Sequence, residues 1–126
     1  TMDNKLSILL DGTSQVEYDR TKKLPQNQLE YLNLMDQQMS NGIHMGNKNI
    51  SNPNQLERAY FVANQLLIAI QTDNEMLASA ACAYLANRIP DLKQVEAKKQ
   101  GASLSILLRF DKQMKEAVSV NFSMPN

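Results

Sequence analysis

Residues 52–90 read NPNQLERAYFVANQLLIAIQTDNEMLASAACAYLANRIP, and this stretch decides the fold. Leu56, Ala59, Tyr60, Ala63, Leu66, Leu67 and Ile70 recur at spacings of three and four, which puts them on one helical face. Asn52, Pro53 and Gln55 form an N-terminal capping pattern in front of them. Phe61, Val62, Ile68 and Ala69 add apolar residues on other faces, so this helix is expected to be central. Thr72 and Glu75 repeat the capping pattern. A further helix follows, with a stripe of Met76, Leu77, Ala80, Ala81, Tyr84, Leu85 and Ile89. The turn between the two is very short, so they are expected to form an antiparallel helical hairpin. Ala78, Ala80, Ala81, Ala83 and Ala86 allow close backbone approach, and Pro90 stops the second helix.

Outward from this hairpin the periodicity changes. Upstream, Leu29, Leu32, Met35 and Met39 predict a helix that starts at Pro25 and stops at Asn41-Gly42. It carries Glu30 and Asp36 and no basic residue. Residues 42–52 are rich in Gly, Asn and Ser and read as a loop. Downstream, Asp91 with Gln94 reads as a cap for a short helix ending before Gly101. Both ends of the chain alternate with period two. Leu6, Ile8 and Leu10, then Val16 and Tyr18, flank a turn at 11–14 and predict a hairpin over 5–10 and 15–19. Leu104, Ile106, Leu108 and Phe110, then Val118, Val120, Phe122 and Met124, predict a second hairpin joined through 111–116. Leu6-Ser7-Ile8-Leu9-Leu10 recurs as Leu104-Ser105-Ile106-Leu107-Leu108, which is read as two strands meeting one packing demand. The fold class expected is α+β. It is a two-layer domain of order ββ-ααα(α)-ββ, with antiparallel hairpins at both ends that share one antiparallel sheet and pack on the central helical hairpin. One globular domain over 1–126 is expected, made of an N-terminal hairpin (1–23), a helical part (24–101) and a C-terminal hairpin (102–126).

Composition narrows the function classes. The 126 residues carry 13 Lys+Arg and 13 Asp+Glu, 43% apolar residues, one His and one Cys. That is enough chain to bury a core without a metal or a disulfide. Zero net charge argues against a nucleic-acid partner. If the two central helices mimicked a helix-turn-helix, Arg88 would be the reading helix's only basic residue, at the wrong end. No apolar run is long enough to cross a membrane, and the N-terminus is too polar for a secretory leader. A lone Cys cannot close an internal disulfide, so a cytoplasmic location is expected. Asn and Gln together number 24, nearly equal to the 26 charged residues. Such a weakly charged, amide-rich surface repels its own copies poorly and favours self-association.

Side chains able to do chemistry are few. One His and one Cys cannot make a zinc site of the usual kind, and no phosphate-cradling glycine loop is present, so neither metal nor cofactor is expected. Cys82 lies among alanines, a setting for a packed thiol and not a reactive one. Ile8-Leu9-Leu10-Asp11-Gly12-Thr13 resembles the strand end of the haloacid dehalogenase phosphatases, Asp-x-Asp-Gly-Thr. Leu9 stands where their nucleophilic Asp belongs, so that chemistry is not implied. The candidate site residues are Asp11, Asp19 and His44, with Tyr18 and Arg20 beside them. Together they would place a site between the first hairpin and the 42–52 loop. The leading expectation is a small non-catalytic interaction or regulatory domain whose partner is protein, in the first instance a second copy in a homodimer. The competing one is a small enzyme or ligand-binding subunit using that site.

Overall fold

The computed structural model describes residues 4–110 and 120–123. Along the chain come β1 (Lys5–Leu10), β2 (Thr13–Asp19), α1 (Gln26–Ser40), β3 (Ile43–Met45), β4 (Lys48–Ile50), α2 (Gln55–Gln71), α3 (Glu75–Arg88), β5 (Leu92–Gln100), β6 (Ser103–Phe110) and β7 (Val120–Ser123). The fold is α+β, with hairpins at both ends and helices in the middle. One sheet has the order β2-β1-β5-β6-β7, and β3 and β4 form a separate small hairpin.

The period-two stretches make the sheet. Leu6, Ile8, Val95, Ala97, Leu104, Ile106 and Leu108 are buried on one face. Rows run straight across it: Ile8 lies opposite Val95, and Val95 opposite Leu108. The other face carries Ser7, Gln94 and Arg109 in one row and Leu9, Glu96 and Leu107 in the next. Arg109 and Glu96 form an ion pair there at 2.9 Å. The repeated pentapeptide sits in β1 and β6, the two strands flanking β5. Both present their first and third residues to the core, as one shared packing demand requires.

Four expectations change. The sheet is mixed, because β1 pairs with β5 in parallel. The chain leaves β1 through β2, crosses with its helices, and re-enters beside β1 in the same direction; such a crossover permits a parallel pair. Residues 92–100 are strand and not a fourth helix. Leu92 and Val95 are both buried at a helical spacing of three. An irregularity in the ladder between Leu92 and Gln94 adds one residue and returns both to the same face. Residues 43–50 form a hairpin within what reads as loop, turning at Gly46 with φ +61°. Finally, both central helices are capped elsewhere. Asn54 closes a reciprocal capping box with Glu57 at 2.8 Å each way. Asn74 accepts from the Leu77 amide. Thr72 instead ends α2, donating its hydroxyl to Ile68 O.

The helical layer follows the predicted stripes except at Leu56 and Met76, which are exposed in the first turns of α2 and α3. The Gln55 side chain donates from Nε2 to Arg88 O, joining the start of α2 to the end of α3, so the two are antiparallel. Six consecutive residues of α3, Ala81 to Ala86, are all buried. α1 covers the pair through Leu32 and Met39 and stops at Gly42, whose amide donates to Met39 O. In the second C-terminal strand, β7 pairs with β6, Phe122 opposite Leu104. The 111–116 connection, Val118 and Met124 lie outside the described residues.

Candidate interaction surface

Asp36 organises the contact between α1 and the helical hairpin. Its Oδ1 accepts from Arg58 Nη1 at 2.9 Å and from the Tyr84 hydroxyl at 2.5 Å. Its Oδ2 accepts from Arg88 Nε at 3.0 Å. Arg58 comes from α2, Tyr84 and Arg88 from α3, so one carboxylate ties three helices. Arg58 also donates to Pro53 O, Asp36 O, Ser40 Oγ and Asn52 Oδ1, which engages all five of its N–H groups. Burial pushes the Asp36 carboxyl up, but the hydrogen bonds from Tyr84, Arg88 and Arg58 outweigh it and hold the group below its ordinary value. Burial, with the hydrogen bond to Asp36, pushes the Tyr84 hydroxyl far up. A charge network this well satisfied is a clasp.

Beyond the clasp the two helices leave a groove of about 700 Å³. Tyr31 and Leu32 of α1 line one side, and Met76, Leu77, Ala80 and Ala83 of α3 line the other. Asn27, Gln28, Asn74 and Ser79 complete it, and among the described residues none that lines it is charged. A second depression of about 270 Å³ shares Tyr31 and Leu77 and runs on past Met35 and Phe61 to Ile43, again without charge. Met76 is 86% exposed and Tyr31 47%. Met76 therefore leaves the buried stripe that its spacing predicts. It sits in the first turn of α3, ahead of the buried run from Ala81 to Ala86.

The residues singled out from sequence lie elsewhere. Asp11, at φ +50°, accepts from the Lys99 amide at 3.0 Å and ties the β1–β2 turn to β5. Asp19 accepts from the amide and hydroxyl of Thr21, and those bonds lower its pKa. His44 is exposed on β3, and its Nδ1 meets Oδ1 of the facing Asn49. Tyr18 is half-buried, and burial raises its pKa. Arg20 donates to Ala86 O at 2.8 Å and to Leu92 O, holding the C-terminal end of α3. Asp11, Asp19 and His44 thus hydrogen-bond to separate partners, and none of them lines either depression. Among the described residues no group of three or more His, Cys, Asp or Glu is placed to hold a metal, and no helix is long and apolar enough to cross a membrane.

Sequence reasoning missed the clasp. Asp36 follows Met35 on the edge of the α1 stripe, and a lone carboxylate at the margin of an apolar face was the available signal. Comparison with protein-family models, curated proteins and solved structures found no match.

Proposed function

We propose that this chain is a small, non-catalytic interaction or regulatory domain that works through protein contact and self-associates as a homodimer. The observation that carries the reading is the uncharged groove between α1 and α3, with Met76 and Tyr31 standing exposed at it. An apolar concavity with exposed large side chains is the kind of surface a protein partner covers. Neither nucleic acid nor a membrane is the partner in this reading, since zero net charge offers no electrostatic footprint for a polyanion. A reducing, cytoplasmic setting fits Cys82, which is buried with its thiol pushed up to about 11 by desolvation. The test is sedimentation velocity from low to high micromolar concentration, together with affinity capture from a cell extract. A monomer–dimer transition is the expected result. A strictly monomeric protein that captures nothing would count against the proposal.

A further inference from the structure

We infer that the groove's occupant is a second copy of this chain, docked about a two-fold axis with Met76 of each copy seated in the groove of the other. This rests on the self-association reading and names its surface. A two-fold contact uses the same patch on both partners, so that patch must be complementary to itself. Here a projection and a hollow belong to one patch. Met76 is 86% exposed, and its neighbours Leu77 and Ala80 line the hollow beside it. A flexible, unbranched side chain suits insertion into a groove of irregular shape.

Charge supports the same occupant. A two-fold axis brings identical residues near one another, so a charged patch would repel itself. Among the described residues, none that lines either depression is charged. The polar lining includes the amides Asn27, Gln28, Gln38 and Gln65. An amide both donates and accepts, so it can pair with its own copy across the axis, as two carboxylates or two ammonium groups cannot.

The experiment compares the dimer constant of the wild type with those of Met76→Lys, Ala80→Trp and Leu9→Lys by sedimentation equilibrium. Met76→Lys puts an unpaired charge on the projection, Ala80→Trp fills the hollow, and Leu9→Lys alters the far face of the sheet. The first two are expected to weaken dimerisation at least about tenfold, the third to leave it unchanged. Met76 is so exposed that its variant should retain the wild-type circular dichroism and melting point. If Ala80→Trp fails to fold, the methyl resonance of ¹³C-labelled Met76 in the wild type gives a second readout, expected to shift with protein concentration. A wild-type dimer that both variants preserve, with a Met76 methyl indifferent to concentration, would overturn this surface and leave self-association standing. A wild type that stays monomeric would overturn both.

Discussion

Asp36 accepts hydrogen bonds from three side chains on two other helices, so its removal should be felt well beyond one contact. Asp36→Asn keeps the shape but leaves Arg58 and Arg88 facing each other without a counter-charge. A loss of about 2–3 kcal/mol is expected, less than for a fully enclosed pair because the carboxylate is 30% exposed. Tyr84→Phe removes one charge-assisted hydrogen bond and should cost about 1–2 kcal/mol. Urea unfolding of the three proteins measures both losses. The pH dependence has a definite sign. The folded-state pKa of Asp36 is depressed, so its contribution is complete above the unfolded value of about 3.9 and fades as pH falls through the folded value. As pH falls below about 4 the wild type should therefore lose stability faster than Asp36→Asn, and parallel curves would show that Asp36 is not the titrating group. Cys82 offers a separate probe. Burial raises its pKa to about 11, so a thiol reagent at neutral pH should label it only as the protein opens, and the labelling rate should follow the urea dependence of unfolding.

Secondary-structure elements show where sequence is legible and where it is not. The two central helices and both terminal hairpins are long enough for their periodicity to appear, and the structure contains them. β5 is misread for a physical reason: Lys93, Gln94, Glu96, Ala97 and Lys98 favour helix, and the Leu92–Val95 spacing is helical. Pairing with β1 on one side and β6 on the other overrides that local preference. β3 and β4 have three residues each, too few to show an alternation. The caps slipped by two residues because Asn52, Asn54, Thr72 and Asn74 are all competent capping residues, and only the backbone selects among them. Two predictions belong to this scale. Asn54→Ala opens the capping box of α2 and should cost about 1 kcal/mol in chemical unfolding. Among glycines, backbone angle separates the outcomes. Gly42 sits at φ +120°, where an added Cβ would also lie 3.5 Å from Ile50 O, whereas Gly101 sits at φ +60° with open space around it. Gly42→Ala should therefore cost more than about 1 kcal/mol, while Gly101→Asn should stay within about 0.5 kcal/mol of wild type. Thermal melts of the pair decide it; equal losses would mean that backbone angle is not the controlling quantity.

The groove belongs to the whole molecule, which is why sequence did not reveal it. Tyr31 and Met76 are far apart in the chain, and the spacing of Met76 matches a buried stripe. Its exposure follows from where α1 and the α2–α3 turn lie, a tertiary fact. What sequence did show was the surface around it, neutral overall and rich in amides, and that surface makes the last prediction. Glu30 neighbours Tyr31 in sequence, and Asp73 and Glu75 bracket Asn74. The stretch 24–40 contains no Lys or Arg. A two-fold dimer through this face brings the segments that carry these carboxylates closer to their copies, while the lining that it buries is uncharged. Salt shortens the range of that repulsion to about 10 Å at 0.1 M and about 3 Å at 1 M, and it leaves apolar burial intact. Dimerisation should therefore strengthen as sodium chloride is raised, and strengthen further in sulfate, which favours burial of apolar surface. An interface held by ion pairs between opposite charges would do the reverse. Sedimentation equilibrium of the wild type at low and high salt distinguishes the two, and Glu75→Gln should flatten the salt dependence by removing one of the repelling charges from each copy. A dimer that weakens with salt would point to an interface drawn from the charged parts of the surface, such as the lysines at 98 and 99 or at 22 and 23, and away from Met76.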